Sequence, residues 1–149
     1  MSRPARSLAR SAARLAAVQA LYQREMENTH LARLLDEFHM HRLGQTIEDE
    51  QYAEAEVAFF DDVVRGVDAR SEEIDALLQE RLAEGWQLKR LDKTMLQILR
   101  AGAYELLARP DVPVGTAISE YVDVAHAFFD AREAKFVNGL LDAVAKAVR

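Results

Sequence analysis

Apolar residues in this chain recur three and four positions apart from one end to the other, and nowhere do they alternate. Phe136, Leu140, Val144 and Val148 stand at i, i+4 spacing, with Leu141 beside them. Met95, Leu96, Leu99, Ala103, Leu106 and Leu107 keep the same rhythm. So do Ile74, Leu77, Leu78 and Leu82, and so do Val57, Phe60, Val63, Val64 and Val67. A period near 3.6 buries one side of a helix, whereas a half-buried strand needs a period of 2. Only 6 glycines and 3 prolines punctuate the chain, and Val and Ile are sparse beside Ala and Leu. That balance favours helix over sheet. Half of the 149 residues are hydrophobic, enough for a core in one domain or two tightly packed halves. The pattern predicts an all-α chain of about seven helices, forming one domain over residues 1–149.

Local signals place the helix ends. The first helix runs from about Pro4, which suits a first helical position, to Met26. Asn28 and Thr29 interrupt it, and a short helix follows from Leu31 to Arg42. Gly44 to Gln51 is polar and reads as a loop. The third helix covers Tyr52 to Val67, with Gly66 allowing close packing or a tight exit. Ser71 is an expected N-cap for the fourth, with Glu72 and Glu73 favourable in its first turn, and Gly85 its stop. Asp92 caps the fifth helix and Pro110 ends it. The sixth runs from after Pro113 to about Phe129, and Asp130 to Lys135 forms a polar turn before the last helix.

The charge is unevenly placed. Five of the 19 basic residues stand in the first 24 positions, where no acid occurs, so the other 14 face all 25 acids. Arg3, Arg6, Arg10 and Arg14 recur at helical spacing and form one stripe. Leu8, Leu15, Val18 and Tyr22 cluster on another side. This predicts a helix that docks by its apolar face and turns its guanidiniums outward, where their planar forks suit phosphate. A basic arm on an acidic body fits nucleic acid or another anionic partner. The alternative is that the arm pairs with the body's own carboxylates.

Little else points to catalysis. There is no cysteine, hence no disulfide, thiol nucleophile or thiolate metal site. Of the four histidines, His39 and His41 are two apart and do not share a helix face. No HExxH, GxSxG, GxxxxGK[ST] or GxGxxG occurs. The expectation is no catalytic residue, no metal and no cofactor. No apolar run reaches the roughly 20 residues that cross a bilayer, and no secretory signal stands at the N-terminus. A reducing cytoplasm fits this composition.

A second basic and aromatic cluster lies near the end: Phe128, Phe129, Arg132, Lys135, Phe136 and Asn138. Aromatic rings beside cations can stack splayed bases, and an Asn amide can read a base edge. Taken singly, Phe128, Phe129 and Phe136 each read as core. Trp86, the only tryptophan, is another place that could serve nucleic acid, though such a ring more often fills a gap between helices. Gly139 lies inside a helix, where it costs about 0.5–1 kcal/mol relative to Ala. Either helix packing or the close approach of RNA or another backbone would explain it.

An ordered set of segments then becomes specific. Ala13-Arg14 precedes Ala17-Val18-Gln19-Ala20-Leu21-Tyr22. Leu99-Arg100, Tyr104-Glu105-Leu106, Asp111-Val112-Pro113 and Ile118-Ser119-Glu120 follow, and Phe136-Val137-Asn138-Gly139-Leu140-Leu141-Asp142 stands near the end. In this order they resemble the NusB family of bacterial transcription antitermination factors over nearly the whole chain, least between Asn28 and Tyr52.

The resemblance implies two small helical bundles packed together and a non-enzymatic role. It implies binding of the single-stranded boxA element of ribosomal RNA operons with NusE, a small-subunit ribosomal protein. Within the RNA polymerase antitermination complex, this supports read-through of terminators. The family includes monomers and homodimers. Residue by residue, its basic arm matches Arg3, Arg6, Arg10 and Arg14, diluted here by Ser7, Ala9, Ser11 and Ala12. Its base-contacting region matches Phe128, Phe136 and Asn138, with Arg132 where some relatives carry an acid. Tyr22 matches a tyrosine near the protein partner, though its place on the apolar side also suits a buried ring. Two other readings stay open. One is an accessory domain related to those of ribosomal RNA cytosine methyltransferases; the other is a helical protein-interaction adaptor.

Overall fold

A computed structural model of the chain describes residues 5–41, 43 and 50–149, with side chains from Ser7 onward in the first helix and from Glu56 onward in the third. The described residues form seven α-helices, one 3₁₀ turn and no strand. The helices are α1 (Ala5–Glu27), α2 (Leu31–His41), α3 (Glu50–Ala69), α4 (Ser71–Arg81), α5 (Lys93–Ala108), α6 (Val114–Phe128) and α7 (Ala131–Val148). The 3₁₀ turn is Leu88–Arg90. The expected Pro4 start and most of the expected 44–51 loop lie outside the described residues. Two compact units emerge, Met1–Arg65 and Gly66–Arg149, with the boundary inside α3.

In the first unit α1 buries Ala9, Ala13, Ala16, Ala17, Val18, Ala20 and Leu21. Leu34, Leu35 and Phe38 of α2 and Phe59, Phe60, Val63 and Val64 of α3 complete its core. The Phe38 and Phe60 rings stack at 5.4 Å between centroids. The expected docking face of α1 is therefore corrected. Of its four members Val18 alone is fully buried, while Leu8 is 44% and Tyr22 40% exposed. A row of alanines lets a helix come close to its neighbours, and it is this small-residue row that points inward. The helix ends as its sequence predicts. Asn28 takes a left-handed φ of 57°, which Asn tolerates, and its N–H donates to the Arg24 carbonyl at 2.9 Å.

The second unit is built around α5, whose Met95, Leu96, Ile98, Leu99, Ala101, Ala103 and Leu106 are all buried. Asp92 caps α5 as expected, accepting from the Thr94 and Met95 N–H groups at 2.8 and 3.2 Å. At its other end, the Arg149 guanidinium donates to the carbonyls of Glu105, Leu106 and Arg109 at 3.1, 2.9 and 2.5 Å. The guanidinium thus gathers carbonyls at the C-terminal end of α5 and its cap, where helix geometry leaves acceptor capacity. Arg100 of α5 holds Asp75 of α4 in a two-pronged ion pair at 2.8 and 2.9 Å.

Three boundaries differ from expectation. Ser71 is the first residue of α4, and Arg70 stands at the cap position without a side-chain cap bond, paired instead with Glu73 at 2.6 Å. α4 ends at Arg81, and Gly85 serves a later turn with φ of 88°. The turn before α7 shrinks to Phe129–Asp130, because Ala131 to Lys135 are already helical.

Two glycines show opposite logic. A Cβ on Gly66 would stand 2.1 Å from the Tyr104 ring, so this position requires glycine for close packing. A Cβ on Gly139 would meet nothing within 4 Å, so packing within the chain does not explain that residue. Gly66→Ala is expected to lower unfolding free energy by about 1–3 kcal/mol through overpacking. Gly139→Ala should raise it by about 0.5–1 kcal/mol through helix propensity. Urea unfolding of both variants checks the contrast.

Candidate nucleic-acid interface

The arginine stripe does not face outward as a unit. Arg3 lies outside the described residues, and Arg6 is described only as backbone within α1. Arg14 is 2% exposed, with its guanidinium carbon 4.9 Å from the centroid of the Phe59 ring. Half-buried Arg10 reaches the same ring, also at 4.9 Å. Helical phase explains the inward turn. Arg14 lies within about 60° of Ala17 and Leu21 around the axis, and both are buried. Buried Glu56 stands one turn before Phe59 on α3, and neither it nor Arg14 is an isolated charge. The expectation that Arg14 offers a free fork to phosphate is thus corrected: its place is inside the first unit.

Tyr22 is at the surface, so the mainly buried alternative does not hold. Its exposed ring leaves it available to a partner.

In the second unit, α6 ends in Phe128, which is 44% exposed, with the Phe129 ring 6.5 Å away between centroids. His126, Phe128, Phe129, Asp130 and Glu133 line a cleft of about 410 Å³ at this turn. The first turns of α7 bring out Arg132 and Lys135, both exposed and without an ion-pair partner among the described residues. Asn138 and Gly139 are exposed further along. Phe136 is half-buried, its ring 6.4 Å from Trp86 between centroids.

Of the two readings open for Trp86, a gap filler and a base-binding ring, its exposure removes the first. It is 57% exposed and fills no gap between helices. The available signal was its setting, since Glu84, Gly85 and Gln87 around it offer no apolar company. The arrangement provides rings, unpaired cations and an amide on one unit, which is chemistry for holding and reading a nucleic acid. Among the described residues no group of three or more acids and histidines could hold a metal ion, and no helix is long and apolar enough to cross a membrane.

Arg14→Ala is expected to cost about 1–3 kcal/mol of stability, from the lost desolvated cation–π contact and the packing of the stem. Chemical denaturation reads this. An unchanged midpoint would show that Arg14 is not a structural residue.

Comparison with known proteins gives a consistent picture. The model for the NusB family matches residues 11–146, a span that includes Arg14, α6 and α7 as far as Lys146 but begins after Arg3, Arg6 and Arg10. The transcription antitermination protein NusB of Novosphingobium aromaticivorans is 77% identical over 141 residues, covering 95% of each chain. That of Sphingopyxis alaskensis is 67% identical over 144 residues, covering 97% of each. Among solved structures, T. maritima NusB aligns with a TM-score of 0.76 at 33% identity, covering 98% of this chain and 93% of that one. A chain from the crystal structure of antitermination factors NusB and NusE in complex with dsRNA aligns with a TM-score of 0.73 at 26% identity, covering 93% and 97%.

Proposed function

This chain belongs to the NusB family, and from that premise we propose that it acts in transcription antitermination by binding RNA together with a NusE partner. The RNA is the single-stranded boxA element of ribosomal RNA transcripts, and the setting is the antitermination complex of RNA polymerase in the cytoplasm. The role is binding, with no reaction of its own.

The observation that carries the RNA reading is the exposure of Phe128 beside an α7 face whose Arg132 and Lys135 have no partner among the described residues. Cations left unpaired on an acidic chain are available to phosphates, and phosphate contacts fix the strand's position. Phe128, Phe136 and Asn138 then supply stacking and edge contacts, from which sequence choice comes. Arg3 and Arg6 extend the phosphate contacts, while Arg10 and Arg14 support them from within the first unit through Phe59. Exposed Tyr22 serves the protein partner.

Titration with short boxA RNA and a scrambled control, with and without NusE, tests this. Selective binding strengthened by NusE is expected, and equal binding of both RNAs in both conditions would overturn it. If three or four of Arg3, Arg6, Arg132 and Lys135 neutralise phosphates, log K should fall against log salt with a slope of about −2 to −3, at about −0.7 per contact for a single strand. A salt-insensitive complex would contradict the phosphate role.

A further inference from the structure

We infer that Trp86 and Phe136 form a stacking ledge for unpaired bases of the RNA, with Gly139 clearing the strand's path beside it. This rests on the RNA reading above and adds to it a recognition residue in the loop between α4 and α5.

Trp86 is held out by construction. The Gln79 side chain of α4 donates to the Trp86 carbonyl at 2.8 Å and accepts from the Leu88 N–H at 2.9 Å. One amide thus fastens the loop on both sides of Gln87. Gly85 supplies the left-handed turn, φ 88°, that brings the chain round to the indole. A large apolar ring so fixed, yet 57% exposed, does not serve the core. A cleft of about 330 Å³, lined by Glu84, Gly85, Trp86, Gln87, Arg90 and Leu91, opens beside it.

The position of the ring points to its occupant. Trp86 lies 6.4 Å from Phe136 between centroids, with ring planes inclined by 31°. Around α7, Arg132, Phe136 and Gly139 fall within about 60° of one another. The same face therefore carries a free cation, a ring and a bare stretch of backbone in succession, and a Cβ at Gly139 would meet nothing. Rings flanked by Arg132, Lys135 and Arg90, whose side chains have no partner among the described residues, match a polyanion with exposed π-faces. An apolar protein partner would leave those cations unanswered. Bases paired in a duplex keep their faces stacked on one another, so the occupant is single-stranded RNA.

Trp86 is the only tryptophan, so its emission reports on this ledge alone. Short single-stranded RNA, its pre-annealed duplex, and NusE alone should each be titrated into the full chain while that emission is followed. Affinities of the wild type, Trp86→Ala, Trp86→Phe and Gly139→Ala are measured in parallel by a labelled-RNA assay. The single strand should quench Trp86, and the duplex and NusE alone should not. Trp86→Ala should weaken single-strand binding about 5- to 150-fold, the range for one lost base stack. Trp86→Phe should recover most of it, and Gly139→Ala should bind RNA more weakly despite folding at least as well. Full affinity in Trp86→Ala with unquenched wild-type emission would overturn the ledge and leave the RNA reading standing. Quenching by NusE alone would make the surface a protein contact and likewise overturn the ledge. Failure of the wild type to bind any RNA would overturn both. Circular dichroism confirms that each variant folds.

Discussion

On the buried, alanine-lined side of α1, a guanidinium lies against the face of Phe59. Ala9, Ala13, Ala16, Ala17 and Ala20 are all buried, and Arg14 is carried in with them. A buried charge is costly unless it is paired or laid on a compensating surface. Here the Phe59 ring meets both Arg10 and Arg14, and Glu56 is buried one turn away on α3. The first unit therefore depends on a cation that composition alone would assign to solvent. The consequence runs outward: with Arg14 inside, α7 and the loop before α5 still carry exposed cations, Arg132, Lys135 and Arg90, beside aromatic rings.

Helical phase thus gives one residue type two fates. Arg14 shares its side of α1 with Ala17 and Leu21 and is buried. Arg132 shares its side of α7 with Gly139 and is exposed. Other arginines are spent on structure, as with Arg100 on Asp75 and Arg149 on the Glu105 and Leu106 carbonyls of α5. On a chain of net charge −6 the cations left over are few. Three of them, Arg90, Arg132 and Lys135, belong to the unit that carries Phe128, Phe136 and Trp86.

The helices were legible because periodicity is a direct imprint of burial. Asp92 and Asn28 were legible because each does one local job that its side chain or backbone tolerance dictates. What escaped depended on neighbours distant in sequence. The inward face of α1 was missed because large apolar residues outweigh alanine in any count by size, yet close approach selects alanine. Ser71 looked like a cap, but the chain turns one residue earlier. Trp86 looked like a gap filler, and only the Gln79 clamp reveals that it is held away from the core. Phe128 and Phe136 could be named as candidates from the sequence, while their division into an exposed and a half-buried ring needed the fold.

The central claim is that RNA engages the α6–α7 surface while Arg14 and Phe59 hold the first unit together. Backbone amide NMR of the isotopically labelled chain, titrated with short single-stranded RNA, addresses it directly. The account predicts shifts concentrated from Phe128 to Gly139, with the amides of Arg14 and Phe59 little moved. Shifts centred on Arg14 and Phe59, with α7 silent, would contradict it.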